Sequence, residues 1–181
     1  MAIRTVLRLG DPRLRQRAEP VPEHLFGSEA LAELIVDLRE TMHACQGAGL
    51  AAPQIGVPWR VVIAEVQNNP RYPQAEPFAE RLLINPQLRP LDDERQEGWE
   101  GCLSVPGLRG QVERWQRIQL HWRDAGGRAH SRQVQGFEAR VLQHECDHLD
   151  GVLFPDRLST PTAFGFIPEL EAAGLIPAVP G

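Results

Sequence analysis

The sequence predicts an α+β fold in which antiparallel β-sheets pack around a central C-terminal helix, with another helix near the N-terminus. Two segments with apolar residues at helical spacing lie on either side of a stretch of β-branched and alternating runs, and this order indicates helix, strands, helix. The chain has 181 residues, of which 42% are hydrophobic. That length and composition predict a single domain, residues 1–181, with its own core.

The N-terminal part is predicted to contain two helices. Asp11 precedes Pro12 as an N-cap precedes a first turn, so a short helix is expected to run to about Ala18. The first long helix is expected over residues 28–46, where Ser28 can act as the N-cap. Its apolar residues recur three and four positions apart (Leu31, Leu34, Ile35, Leu38 and Met42).

The middle of the chain has the pattern of strands. Residues 60–66 and 82–85 are rich in apolar and β-branched side chains, and residues 118–122 alternate apolar with polar ones. A Gly-Gly turn then leads into a return strand near residues 128–134. Residues 68–77 are polar and rich in proline, which predicts an exposed loop.

The second long helix is predicted over residues 137–149. Its apolar residues and two histidines occupy neighbouring stripes, which leaves a narrow polar edge made of Arg140, Gln143 and Asp147. We therefore expect this helix to be mostly buried. The tail beyond it is rich in proline and glycine, and one short helix is expected there, near residues 169–173.

Charge and cysteine content exclude several classes of protein. A net charge of −5 and a pI near 5.7 argue against a general nucleic-acid binder, which needs clustered positive charge. The three cysteines (Cys45, Cys102 and Cys146) are an odd number at uneven spacing, a poor disulfide framework. No segment has the pattern of a membrane span or a signal peptide. We expect a soluble protein of a reducing compartment.

The second long helix carries the sequence His-Glu-Cys-Asp-His at residues 144–148, an H-E-x-x-H motif. His144 and His148 are four residues apart, so both imidazoles can reach one metal ion, while Glu145 can approach a water on that ion without being a ligand. The alternative is a buried helix that contains two histidines by chance. A buried Glu145 would then cost several kcal/mol without a compensating charge, so we favour the metal site.

The motif alone leaves the third ligand open. Phe154 stands where a metzincin would have its third histidine. A thermolysin-like arrangement would use a downstream acid, and Glu169 and Glu171 are available, although the chain is short for such a protease. The other candidate lies upstream, in the segment around Cys102.

Three segments together resemble the peptide deformylase family in order and spacing. They are GAGLAAPQIG at residues 47–56, EGCLSV at residues 100–105 and QHECDHLDG at residues 143–151, and the N-terminal VLRLGDPRLRQ is also similar. The resemblance implies removal of the formyl group from the N-terminal formyl-methionine of new polypeptides, with release of formate. It also implies one divalent metal ion on Cys102, His144 and His148, with Fe²⁺ expected in the cell and Zn²⁺, Ni²⁺ or Co²⁺ as substitutes.

The resemblance further assigns catalytic and substrate-binding roles. Glu145 is expected to be the general base, and the side-chain amide of Gln54 and the backbone N–H of Leu103 are expected to stabilise the oxyanion. The substrate-binding residues that it implies are Ala48 and Gly49, for the peptide backbone, and Phe137 and Val141, for the methionine side chain.

Three further residues lie near these motifs. Arg140 and Trp99 depart from the commonest family pattern. The stem of Arg140 either lines the pocket rim or faces solvent. Glu100 is a candidate partner for a metal ligand.

The resemblance places the protein in the bacterial cytoplasm, where it acts on nascent N-formylated polypeptides. We also expect a monomer, and the charge and sequence pattern above predict no nucleic-acid or membrane partner. The segment after Arg157 contains no Lys or Arg, so we expect that this tail does not dock on the ribosome. Three rival functions are weighed against deformylation: an H-E-x-x-H protease for internal peptide bonds, a non-enzymatic homologue, and a structural metal module. The structural module would need a fourth protein ligand, for which the sequence offers no candidate.

Overall fold

The computed structural model describes residues 2–67, 69, 72 and 74–177. It contains three α-helices: α1 (Glu29–Ala44), α2 (Gly136–Leu149) and α3 (Ile167–Ala172). The strands are, in chain order, β1 (Gly49–Ala51), β2 (Val61–Val66), β3 (Phe78–Pro90), β4 (Arg95–Cys102), β5 (Val105–Trp115), β6 (Arg117–Arg123), β7 (Ala129–Gln135) and β8 (Phe164–Phe166). The predicted combination of helices with antiparallel strands is confirmed.

The strands form two antiparallel sheets. One sheet has five strands in the order β1-β2-β3-β6-β7, and the other has three in the order β4-β5-β8. Strands β4 and β5 pair from Arg95 opposite Trp115 to Cys102 opposite Val105. Neither strand was predicted from the sequence. Most β4 side chains are charged, polar or absent, so this strand has no apolar alternation to recognise.

Helix α1 covers the side of the core formed by β1 and β2. Ser28 Oγ accepts a hydrogen bond from the Leu31 N–H, as predicted for an N-cap. The helix ends at Ala44, two residues before the predicted end, and Gln46 turns the chain with a left-handed φ of 52°. Its buried apolar side chains pack in one cluster with residues of β2, among them Val61 and Ile63.

Helix α2 packs against strands of both sheets, and ten of its fourteen residues are buried. The predicted burial is therefore confirmed, but the predicted polar edge is wrong for Arg140 and Gln143, which are both buried. Gln143 is accommodated because its side-chain amide bonds to the backbone N–H and C=O of Trp115. Arg140 is accommodated by ion pairing, described below.

The segment between β2 and β3 is only in part the exposed loop that was predicted: Gln74, Glu76 and Pro77 are exposed, but other described residues are not. Residues 68, 70, 71 and 73 of the predicted 68–77 loop lie outside the described residues. Asn69 is buried and donates hydrogen bonds to the carbonyls of Gln46 and Gly47, and Tyr72 is half-buried. This part of the segment is attached to the turn that follows α1, because the Asn69 amide replaces water as the partner of two backbone carbonyls.

The described segments before α1 and after α2 also pack on this framework. Asp11 caps a 3₁₀-helix at Pro12–Arg15, shorter than the predicted helix. In the tail, α3 confirms the predicted short helix, and the unpredicted β8 pairs with β5. None of the helices in the described residues has the length and apolar character needed to cross a membrane.

Candidate active site

Helix α2 presents His144 and His148 on one face. The two residues are one helical turn apart, their ring centroids are 5.1 Å apart, and the rings meet edge to face at 73°. Both side chains are buried, and the His144 ring also stacks on Phe154 at 6.2 Å. The helix therefore holds the two imidazoles in a fixed relation beneath the hairpin that joins β4 to β5.

Cys102 is the last residue of β4 and lies beside the two histidines. Its Sγ lies 3.3 Å from His148 Nε2 and accepts a hydrogen bond from the Ser104 N–H. The potential ligand atoms of Cys102, His144 and His148 all lie within 4.8 Å of one another. Among the residues that the structure describes, neither Glu169 nor Glu171 belongs to this group, so the upstream candidate is the one that meets the helix.

A thiolate and two imidazoles form a donor set that suits zinc, iron and similar divalent metals. The two histidines differ in their surroundings. Burial lowers the pKa of His148 well below its ordinary value, and hydrogen bonds to Cys102 and Glu100 outweigh burial and raise the pKa of His144. His148 is thus already in the neutral form that a ligand needs, whereas metal binding would displace a proton from His144.

Glu100 orients the first histidine. Its Oε2 lies 2.9 Å from His144 Nδ1, which leaves His144 Nε2 to face Cys102 and His148. Arg114 donates two hydrogen bonds of 2.9 Å to the same carboxylate. Burial would raise the pKa of Glu100, but the hydrogen bonds from Arg114 and His144 hold it well below its usual range. Glu100 therefore stays ionised behind His144.

Arg140 is part of this ion-pair network, so the expectation that it could face solvent is wrong. Its Nη1 donates to Glu100 Oε1 and to the Val112 carbonyl, both at 2.9 Å, and its Nη2 donates to the Gln96 carbonyl at 2.6 Å. A Cβ on Gly98 would lie 2.8 Å from the Arg140 Cζ, so the guanidinium needs a glycine beside it. The guanidinium can be buried because the Glu100 carboxylate and the backbone carbonyls replace its hydrogen bonds to water.

Arg114 was not predicted from the sequence as a residue of the site. Besides Glu100, its guanidinium donates to Asp147 Oδ2 at 2.5 Å, and Arg157 donates one hydrogen bond to each oxygen of the same carboxylate. These partners come from β4, β5, α2 and the 3₁₀-helix after it, so no local motif marks them. Only the pairing of β4 with β5 brings Arg114 beside Glu100.

Glu145 lies next to the group of three but is not one of them. It is buried, and in the described part of the chain its Oε2 has no hydrogen-bond partner. Burial raises its pKa to about 7. Buried polar atoms are normally hydrogen-bonded, so a bound cation with its water would fit beside this oxygen. The residues present therefore fit a metal ion.

Gly49 makes room for Glu145. A Cβ at position 49 would lie 2.5 Å from Glu145 Oε1 and 2.6 Å from its Cδ and Cγ. Such distances are far below van der Waals contact, so any larger residue at this position has to displace the carboxylate. Glu145 can therefore occupy this position only because residue 49 has no side chain.

Gln54 is fixed in the 3₁₀-helix Ala52–Ile55, which follows β1. Its Oε1 accepts a hydrogen bond from the Ala51 N–H at 2.8 Å, and its Nε2 lies 3.1 Å from Ser104 Oγ and 3.6 Å from Cys102 Sγ. The side chain is 1% exposed, which excludes an ordinary surface amide. Its NH₂ group therefore faces Ser104 and Cys102, one of the three candidate ligands.

A cavity opens beside these residues. It is lined by Gly47 and β1, by the end of β4 and by α2. Its walls include Leu103 and all of the predicted substrate residues (Ala48, Gly49, Phe137 and Val141). Tyr72 and Trp99 line it as well. By contrast, Cys45 caps α1, and Cys146 faces a separate cavity on the other side of α2.

A buried Cys-His-His group on an H-E-x-x-H helix, with a buried glutamate and a cavity beside it, defines a metal-dependent hydrolase. The sequence matches the polypeptide deformylase family over residues 3–163. It is 53% identical to peptide deformylase 1 of Prochlorococcus marinus, over 97% of this chain and 91% of that protein. Its identity to peptide deformylase 2 of Pseudomonas syringae is 51%, over 91% of this chain and 92% of that protein.

A solved structure agrees with these sequence relatives. It is the class I type b peptide deformylase of Acinetobacter baumannii with Met-Ala-Ser bound, which superimposes with a TM-score of 0.84 at 38% identity. The match covers 87% of this chain and 99% of the other. This chain belongs to the peptide deformylase family.

Proposed function

We propose that this protein removes the N-formyl group from the N-terminal formyl-methionine of newly made polypeptides, which yields formate and a free amine. The observation that carries the proposal is the buried Cys102, His144 and His148 group, which lies beside Glu145 at the wall of a cavity. Membership in a metal-dependent family supports the same conclusion, because its members at about 50% identity are peptide deformylases.

Cys102, His144 and His148 would hold one divalent ion. When bound, that ion supplies Lewis-acid chemistry and lowers the pKa of a water toward ~7. We propose Fe²⁺ as the ion bound in the cell. Zn²⁺, Ni²⁺ or Co²⁺ can substitute for it, because one soft thiolate and two imidazoles accept all of these ions. Glu100 would keep His144 in the tautomer that presents Nε2.

Glu145 is the proposed general base. Its unpaired Oε2 is free to take a proton from the attacking water, and the same carboxyl can then deliver that proton to the departing amine. Burial raises the pKa of this carboxyl, and a cation held at the three ligands would lower it again, so the group is ionised and able to accept the proton when the metal is bound. Gly49 leaves the space that this carboxylate occupies.

Gln54 and Leu103 are the proposed donors to the oxyanion. The Gln54 amide is held at its oxygen by Ala51, so its NH₂ group needs no reorganisation when charge develops. The Leu103 N–H follows Cys102 directly in the turn between β4 and β5. Removal of one donor of this type typically costs ~3 kcal/mol of barrier.

The substrate backbone is proposed to pair with Ala48 and Gly49. Strand β1 is at the edge of the five-stranded sheet, so an extended peptide could add to it as a further strand. The methionine side chain would then enter the cavity toward Phe137 and Val141, which are both on α2. We further propose that residues 1–181 act as one catalytic domain, as a cytoplasmic monomer that meets nascent chains without a nucleic-acid or membrane partner.

The test is formate release by protein prepared without oxygen, with formyl-Met-Ala-Ser as substrate. We expect turnover of this peptide and no cleavage of unformylated peptides. Cleavage of internal peptide bonds without formate release would identify the protein as an H-E-x-x-H protease instead. Absence of both activities in metal-loaded protein would favour a non-enzymatic homologue.

A further inference from the structure

Tyr72 is the one tyrosine of the chain, and it lies in the segment between β2 and β3 that the sequence pattern indicated as solvent-exposed. It instead lines the same cavity as Cys102 and Glu145. Its ring centroid is 5.2 Å from that of Phe137, with 53° between the ring planes. The two rings therefore form a continuous aromatic wall, contributed by α2 and by a segment outside all three resemblance motifs.

Tyr72 is held in place from two directions. The Arg109 guanidinium lies over its ring, 4.7 Å from the centroid, and Arg109 is itself 6% exposed. The Tyr72 N–H donates to the Asn69 carbonyl, and the Asn69 side chain is bonded to the carbonyls of Gln46 and Gly47. The ring is thus positioned before a ligand enters, so little conformational entropy is lost when a ligand packs on it.

We propose that Tyr72 is a specificity-determining residue, whose ring packs with that of Phe137 against the side chain of the substrate's first residue. This inference rests on the proposed function. An unbranched thioether makes favourable contacts with aromatic rings, and two rings inclined at 53° offer it both a face and an edge. A methyl side chain is too short to gain from the same wall. Tyr72 should therefore favour formyl-methionine over formyl-alanine.

The kinetic test uses metal-loaded enzyme with formyl-Met-Ala-Ser and formyl-Ala-Ala-Ser. We expect Tyr72→Ala to raise KM for the methionine peptide by roughly fivefold, with kcat within twofold, because the contact contributes to binding rather than to the transition state. KM for the alanine peptide should stay unchanged. Tyr72→Phe should behave as wild type because the ring carries the effect, and Phe166→Ala, which removes an exposed aromatic residue, is the matched control.

Equal effects of Tyr72→Ala on both peptides, or no effect on either, would overturn the inference while leaving deformylation intact. Wild-type protein that releases no formate would instead remove the proposed function itself. The two failures are therefore distinguishable.

A second readout covers the case in which Tyr72→Ala does not fold. Biosynthetic 3-fluorotyrosine places one ¹⁹F label in the otherwise unchanged metal-loaded chain, because Tyr72 is the single tyrosine. Saturation with the product peptide Met-Ala-Ser should shift this signal clearly more than saturation with Ala-Ala-Ser. Identical spectra with the two peptides would show that the ring does not sense the first side chain, and the proposal would fall.

Discussion

Replacement of Gly49 by alanine tests the position of Glu145 without changing any proposed catalytic group. The added Cβ would lie 2.5–2.6 Å from three atoms of the Glu145 side chain, and normal contact requires about 3.5 Å. Rotation of the carboxylate alone does not relieve the clash, because Cγ is among the three atoms. Glu145 therefore has to move by about 1 Å, and a displacement of that size at a reacting group can lower the rate by about 10².

The assay is steady-state formate release from formyl-Met-Ala-Ser, with the metal content of each preparation measured in parallel. We expect Gly49→Ala to keep a full metal complement and to lose about 10² in kcat, within the ~10²–10⁴ range that loss of the base in Glu145→Ala should cause. Gly126→Ala is the control, since a Cβ there meets its nearest atom at an ordinary 3.4 Å. A Gly49→Ala enzyme with kcat within twofold of wild type would refute the reasoning, because the position of Glu145 would then not matter.

Three further predictions concern the ligands, the ion-pair network and the tail. Cys102→Ala should abolish both bound metal and formate release, whereas Cys146→Ala should keep both, as measured by metal analysis and turnover. A full metal complement in Cys102→Ala would show that the ligands are misassigned. Glu100→Gln should lower the free energy of unfolding in urea by about 3–5 kcal/mol, because it leaves two buried guanidinium groups without their shared carboxylate; an unchanged midpoint would contradict this. Deletion of the residues after Thr162 should leave ribosome co-sedimentation at low salt unchanged but reduce stability, since Phe164 packs on the core; loss of strong binding would overturn the prediction.

The parts of the fold that could be predicted are those in which apolar spacing carries the information. Helix α1 and strand β6 each bury one regular face, and helix α2 is buried over most of its surface, so apolar spacing identifies them; strand β7 was predicted from the turn residues that precede it. Strand β4 was missed because its stability comes from pairing with β5 and from ion pairs rather than from an apolar face. The order of residues along β4 does not indicate which residues of other elements will pair with it.

The same distinction holds at the candidate site. The three candidate ligands and Glu145 could be proposed from short motifs, because the H-E-x-x-H spacing and the family segments place them in sequence. Arg114 could not, since its carboxylate partner is fourteen positions away on the neighbouring strand. Tyr72 could not either, because nothing in a polar, proline-rich segment indicates that Asn69 attaches it to the turn after α1.

The central claim is that deformylation here depends on a metal ion held beside Glu145. The most direct measurement follows formate release from formyl-Met-Ala-Ser by one wild-type preparation in three states: as purified without oxygen, after removal of the metal by a chelator, and after re-addition of Fe²⁺ or Ni²⁺. We predict that activity disappears with the metal and returns when about one equivalent has been restored. Undiminished formate release by the metal-free protein would contradict the account.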